Sequence, residues 1–86
     1  MIRAEGRDDV VDDEFSEYYI NIGLKVSYFR KKAGMTQEQL AEKMNVATSF
    51  IGQIEAPNIV KAISFDTLFR IAKALDVAPY KFLIVD

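Results

Sequence analysis

The sequence predicts an all-α fold, a compact bundle of about five helices, and three observations support this class. Apolar residues recur three or four positions apart over most of the chain, which is the spacing of one helix face. Residues that cap helices stand at the boundaries of these segments. Before the C-terminus no alternating β-branched run has a useful length, and the longest such piece is Phe82 to Val85. The 86 residues are half apolar, which predicts one domain with a single core.

The first helix is expected to begin near Asp12 or Asp13, because either residue can cap a helix N-terminus. A polar, acidic and flexible leader over residues 1–12 precedes it, and the helical domain takes residues 13–86. The apolar spacing predicts either one helix of about 20 residues or two helices with a bend at Gly23. Gly34 is expected to end this segment.

The next two predicted helices are short and lie on either side of a tight turn. Thr36 caps helix 2, over about 36–44, and Gln39 completes a capping box. Asn45 ends this helix, because Asn tolerates the left-handed backbone conformation. Helix 3 runs from about 48 to 55. Two short helices joined by such a turn form a helix-turn-helix.

The fourth predicted helix is capped by Ser64 and ended by Asp76. Its expected buried face consists of Phe65, Leu68, Phe69, Ile71, Ala72 and Leu75. Pro79 suits the first position of a last short helix, which extends to about Leu83.

Composition excludes several classes of function. The chain contains no Cys and no His, so thiolate metal sites and the commonest general base are missing, and we expect neither enzyme activity nor a metal or cofactor. No apolar stretch approaches the length of a membrane span, which predicts a soluble cytoplasmic protein. Residues 1–24 hold two basic and seven acidic residues, a net charge of −5. Residues 25–86 hold nine basic and six acidic residues, a net charge of +3, which permits DNA binding.

Three segments together resemble the Cro and phage-repressor type of helix-turn-helix protein, the XRE family: RKKAGMTQEQLAEKMNV, IGQIE and FDTLFRIAKALDV, with Pro79 two residues later. The resemblance covers about Gly23 to Leu83. It implies a lambda-repressor-like fold and a sequence-specific transcription regulator that binds double-stranded operator DNA as a homodimer. Helix 3 would enter the major groove. No small-molecule ligand or membrane partner is implied.

The resemblance also implies roles for individual residues. Gln37 matches the position that binds a phosphate and braces the recognition helix, with an exposed polar residue as the alternative. Gln53 matches a groove-facing position, where Gln can read adenine, or else it is solvated. Thr48 and Ser49 match two further groove-facing positions, and helix capping is their alternative.

Five other residues complete the implied site. Arg30 and Glu55 match a partly buried salt bridge between helix 1 and the end of helix 3. Lys43, Asn58 and Lys61 match phosphate contacts, with an ordinary surface position as the alternative for each.

The sequence departs from the family pattern in and around helix 3. Ala47 replaces the usual capping Ser or Thr, and Gly52 weakens the helix. Phe50 stands at a usually small, polar position, where it would contact a thymine methyl, pack on helix 2 or mark a protein surface. Helix 3 contains no Arg or Lys.

These departures leave a second hypothesis open, a protein-interaction module on the same fold, such as an antitoxin or a mobile-element accessory protein. The acidic leader, Phe50 and the apolar loop 59–63 favour it. For a homodimer, the candidate surfaces are this loop and the C-terminal residues, although Phe82 and Leu83 have core packing as an alternative. These C-terminal residues are Tyr80, Phe82, Leu83, Ile84 and Val85.

Overall fold

A computed structural model describes residues 13–84 as an all-helical arrangement. The predicted leader and the last two residues, Val85 included, lie outside the described part. The elements are α1 (Asp13–Lys32), α2 (Gln37–Met44), α3 (Thr48–Glu55), α4 (Phe65–Leu75) and a 3-10 helix (Pro79–Phe82). The all-α prediction is confirmed.

The number of α-helices within residues 13–84 is four, and the expectation of about five is corrected. The fifth segment starts at Pro79 as predicted, but it forms a single turn with i to i+3 hydrogen bonds. Lys81 N–H donates to the Ala78 carbonyl at 3.1 Å, and Leu83 N–H donates to the Tyr80 carbonyl at 3.0 Å. A four-residue segment is too short to repay the nucleation of an α-helix, so the tighter turn forms instead.

α1 runs through Gly23 as one continuous helix, so the alternative of two helices with a bend is wrong. Its end is a Schellman motif at Gly34, whose φ of 75° lies in the left-handed region. Gly34 N–H donates to the Lys31 carbonyl at 2.9 Å, and Met35 N–H donates to the Arg30 carbonyl at 3.1 Å.

The predicted boundaries of α2 are confirmed by its caps. The Thr36 hydroxyl accepts from Gln39 N–H at 3.0 Å, and the Gln39 side chain accepts from Thr36 N–H at 2.9 Å. Asn45 takes the left-handed conformation with φ 59°. The chain therefore leaves α2 in a fixed direction and reaches α3 after three residues, 45–47.

α4 is capped and terminated in the same way. The Ser64 hydroxyl accepts from Thr67 N–H at 3.1 Å, and Asp76 is left-handed with φ 57°. Both boundaries agree with the sequence prediction.

The core lies between the four α-helices, because α1 and α2 each pack against both α3 and α4. α2 contributes Leu40, Ala41 and Met44 to it. The 3-10 helix closes one end, because the Phe82 ring is buried and packs edge-on against Phe29 with 5.2 Å between ring centroids. The largest fully buried side chains are Phe82, Leu40, Ile51, Ile71 and Val26.

Two aromatic residues of α4 contradict the predicted buried face. Phe65 is 69% exposed and Phe69 is 53% exposed. The buried stripe of this helix is centred on Leu68, Ile71 and Leu75. Because an α-helix turns by about 100° per residue, Phe65 and Phe69 fall on the flank of that stripe. Within residues 13–84, no helix has the length and apolar character needed to cross a membrane.

Candidate nucleic-acid interface

α3 is a short amphipathic helix with one face in the core and one face open. Ile51 and Ile54 are buried. Thr48, Ser49 and Gln53, the three residues expected to face a DNA groove, are all exposed. All three polar side chains therefore lie on the part of α3 that is open to solvent.

The C-terminal end of α3 is fixed to α1 by a buried ion pair. Arg30 Nε donates to Glu55 Oε2 at 2.7 Å, and Arg30 Nη2 donates to Glu55 Oε1 at 2.9 Å. The Arg30 side chain also donates through Nη1 to the Met35 carbonyl at 2.6 Å. The two hydrogen-bonded groups share a planar, bidentate geometry, which fixes direction as well as distance. α1, the α1–α2 loop and α3 are thus joined at one point.

Burial and pairing act in opposite directions on this arginine. The hydrogen bond to Glu55 raises the pKa of Arg30, and the nearby negative charge of Glu55 raises it further, while burial lowers it. The pairing effects are larger, so Arg30 keeps its charge at any pH at which the protein functions.

Gln37 connects α2 to the same point. Its Nε2 donates to Glu55 Oε1 at 3.1 Å, and the residue is half-buried. Its Oε1 lies over Gly52, at 3.6 Å from where a β-carbon of residue 52 would stand. The side chain thus spans from the start of α2 to α3, which is the bracing geometry expected of it.

The N-terminus of α3 has the open cap that the sequence indicates. Ala47 occupies the N-cap and makes no side-chain hydrogen bond, and only the backbone bond from Phe50 N–H to the Ala47 carbonyl closes the first turn. Among residues 13–84, no hydrogen bond engages the hydroxyl of Thr48 or Ser49. Neither hydroxyl caps the helix, so both are available to a ligand.

Phe50 lies at the edge between the core and the open face of α3. Its ring is half-buried and packs on the core cluster. The Lys61 ammonium lies over this ring at 5.6 Å from its centroid, within cation–π range. Lys61 comes from the loop between α3 and α4, so the pair joins this loop to α3.

The remaining two predicted contacts lie apart from each other. Asn58 is exposed in a turn directly after α3, closed by Ile59 N–H donating to the Ala56 carbonyl at 3.3 Å. Lys43 lines a shallow depression with Arg70 and Lys73, where α2 faces α4. No residue of α3 lines that depression.

Gly23 is a residue whose importance the sequence did not reveal. A β-carbon at this position would fall on the carbonyl oxygen of Ile54 and lie 3.1 Å from its carbonyl carbon. The backbones of α1 and α3 therefore touch at Gly23, and a side chain there would push α3 outward. A Gly inside a helical pattern is the available signal, because such residues often mark a close backbone approach.

These features define the class of fold. Two short helices, α2 and α3, are joined by a three-residue turn, and the second presents an open polar face while bracing contacts hold it from behind. The sequence matches the helix-turn-helix family HTH_3 over residues 26–82. The chain belongs to this XRE-type family, whose members are DNA-binding transcription regulators, and the resemblance seen in the sequence is confirmed.

Several solved structures of regulatory proteins are similar to this chain. SinR, the master regulator for biofilm formation, in complex with DNA, is 33% identical with a TM-score of 0.67, over 73% of this chain and 98% of that chain. The restriction-modification controller protein C.AhdI from Aeromonas hydrophila is 25% identical with a TM-score of 0.68, over 74% and 94% of the two chains. The hypothetical transcription factor NHTF from Neisseria, 23% identical, shares the fold with a TM-score of 0.72, over 98% and 87%. Among curated protein sequences, none matches significantly.

Proposed function

We propose that this protein is a sequence-specific transcription regulator that places α3 in the major groove of operator DNA and acts as a homodimer. The observation that carries the proposal is the open face of α3, where Thr48, Ser49 and Gln53 are exposed. A braced helix with free polar side chains matches the way that helix-turn-helix proteins contact base edges.

Gln53 is the main side chain of α3 that would recognise a base. α3 has no Arg or Lys, so it lacks the side chains that most often read guanine. The amide of Gln53 matches the donor and acceptor pair on adenine. Thr48 and Ser49 stand in the first turn of α3, where a hydroxyl reaches either a base edge or a phosphate.

Residues at the start of α2 and in the loop after α3 would bind the DNA phosphates. Gln37 uses one amide hydrogen for Glu55 and retains a second for a phosphate. It stands at the first position of α2, beside backbone N–H groups that favour an anion. Asn58 and Lys61 extend the contact surface along the loop. Lys43 is a further candidate for a phosphate contact, and it lines a depression between α2 and α4.

The exposed flank of α4 supports the homodimer. Phe65 and Phe69 stack with 6.0 Å between their ring centroids and stay largely exposed. Beside them, Asp66 and Arg70 form an exposed ion pair at 2.8 Å. In an antiparallel pairing of two α4 helices, Asp66 of each copy would face Arg70 of the other, which makes the surface self-complementary about a two-fold axis.

Three C-terminal residues are also exposed, Tyr80 by 61%, Leu83 by 47% and Ile84 by 46%. Leu83 lines the same groove as Phe65, so the apolar surface extends at least to this residue. Phe82 is not part of it, since that ring is buried in the core. Light scattering of Phe69→Ser should give a monomer, whereas Tyr28→Ser, which changes an equally exposed aromatic residue of α1, should leave the dimer intact.

Selection from random duplexes tests the DNA-binding function. The wild-type protein should recover a two-fold-related consensus, and Gln53→Ala should lose discrimination at one position of each half-site, by about 1–3 kcal/mol. Urea denaturation of the variant checks that it is folded. Failure to recover any consensus at low salt would refute specific DNA binding.

The second candidate function is a protein-interaction module, and the exposed pair Phe65 and Phe69 favours it. A module of this kind would use the same apolar flank for a different protein. Co-purification of a partner that survives high salt, together with no recovered DNA consensus, would support this function over the first.

A further inference from the structure

The α3–α4 loop holds its one cation against an aromatic ring of α3. Lys61 is the only basic residue between positions 56 and 64, and α3 itself has none. The Lys61 ammonium lies 5.6 Å from the centroid of the Phe50 ring. The one cation of this loop therefore lies against α3, over the ring of Phe50.

Both partners are partly fixed before any ligand binds. One side of the Phe50 ring packs on the core cluster, and Lys61 is half-buried although it stands in a loop. Within residues 13–84, no carboxylate pairs with Lys61. The aromatic ring is therefore the group that determines where this ammonium lies.

An aromatic ring and a carboxylate would have different consequences for an anion. A carboxylate would neutralise the ammonium, whereas a ring attracts it through its quadrupole and carries no net charge. The Lys61 ammonium therefore has no carboxylate partner within residues 13–84 and is open to a phosphate, while its contact with the ring restricts its long side chain. Ordering such a side chain in advance reduces the entropy lost on binding.

We propose that Phe50 is a positioning residue that holds Lys61 at the flank of α3 to bind a DNA phosphate. This inference rests on the proposed function, because the backbone strands of DNA border the groove that α3 would enter. Direct contact of Phe50 with a thymine methyl is the competing role, and the experiment below separates the two.

A double-mutant cycle on the selected duplex tests the proposal. Dissociation constants are measured against salt concentration for the wild-type protein, Phe50→Leu, Lys61→Gln and the double variant. Lys61→Gln should lower the salt slope by about 0.9 per protomer, because one phosphate contact is lost. Phe50→Leu should weaken binding roughly two- to tenfold per half-site, the gain expected from one pre-ordered side chain.

Coupling is the decisive result. In the Lys61→Gln background, Phe50→Leu should change the affinity by less than about twofold, since there is no ammonium left to position. Phe50→Tyr keeps a ring and should keep wild-type affinity, which separates the cation–π contact from simple packing. Lys73→Gln removes an equal charge from an exposed position of α4 and should leave the salt slope unchanged. An undiminished effect of Phe50→Leu without Lys61 would overturn the proposal in favour of direct base contact.

A second readout needs no DNA and keeps this proposal separable from the proposed function. The ring current of Phe50 should shift the NMR signals of the Lys61 side-chain methylene protons upfield, and Phe50→Leu should abolish that shift. A shift that is absent in the wild-type protein refutes the positioning role, whereas a missing DNA consensus refutes the proposed function.

Discussion

Removing the charge of Arg30 while keeping its aliphatic stem should destabilise the domain strongly. Arg30→Met strands the Glu55 carboxylate, because two of the three side-chain donors that it accepts from belong to Arg30. The two side chains are only 9% and 5% exposed. Breaking one partner of such a buried pair typically costs about 3–5 kcal/mol.

The size of this loss can be set against the whole domain. At about 0.05–0.15 kcal/mol per residue, a domain of 86 residues has a stability of roughly 4–13 kcal/mol. Arg30→Met should therefore lower the thermal midpoint by about 12–40 °C, taking about 4–8 °C per kcal/mol for a domain of this size. Urea denaturation at low temperature, monitored by circular dichroism, measures the free energy of unfolding.

Arg70→Met is the matched control for this variant, and both are compared in the monomeric Phe69→Ser background because Arg70 lies on the proposed dimer surface. Arg70 also pairs with a carboxylate, that of Asp66 at 2.8 Å, but those side chains are 65% and 74% exposed. The exposed pair should contribute only about 0.3–0.5 kcal/mol. If Arg30→Met destabilises the protein no more than Arg70→Met does, the ion pair does not hold α3 in place.

A double variant shows whether the stranded charge causes the loss. Replacing Glu55 with Met in the Arg30→Met background removes the unpaired carboxylate and fills the site with apolar volume. Such replacements of buried pairs are often close to neutral, so the double variant should be more stable than Arg30→Met alone. An equally unstable double variant would assign the loss to packing instead.

Two glycine replacements should have opposite effects on the free energy of unfolding, measured by the same urea titration. Gly23→Ala should destabilise the domain by at least about 1–3 kcal/mol, because its β-carbon would meet the Ile54 carbonyl. An unchanged midpoint of the urea titration would show that α1 and α3 separate freely. Gly52→Ala should stabilise the domain by about 0.5–1 kcal/mol, because Ala favours a helix interior more than Gly does. There is room for the new β-carbon, which would make only an ordinary contact with Gln37 Oε1 at 3.6 Å. A loss of stability would contradict the space seen at that position.

Much of the secondary structure was predictable from short segments of sequence. The caps at Thr36 and Ser64 and the left-handed ends at Gly34, Asn45 and Asp76 each depend on groups within five residues along the chain. Interactions of this range are encoded locally, so residue type and spacing are sufficient to place them. The short fifth segment shows the limit of local signals, because Pro79 indicates a helix start but not whether an α-helix or a 3-10 turn follows.

The spacing of apolar residues alone could not predict that Phe65 and Phe69 are exposed. Their positions fit the apolar period of α4, yet the direction of the buried stripe depends on which neighbours α4 meets. α1, α2 and the 3-10 helix together decide that direction. A pattern in one helix cannot supply it.

The contacts around α3 also separate into those that the sequence predicted and those that only the packing of the helices shows. The sequence by itself determined an all-helical chain with a helix-turn-helix, and through a family resemblance it predicted which side chains would contact DNA. The resemblance implied the Arg30–Glu55 ion pair, and the structure supplies its geometry. Only the tertiary structure showed the backbone contact of α1 with α3 at Gly23 and the position of the Phe50 ring under Lys61. These contacts join residues 11 to 31 positions apart. Their geometry follows from the packing of whole helices, because no local period or capping signal spans such separations.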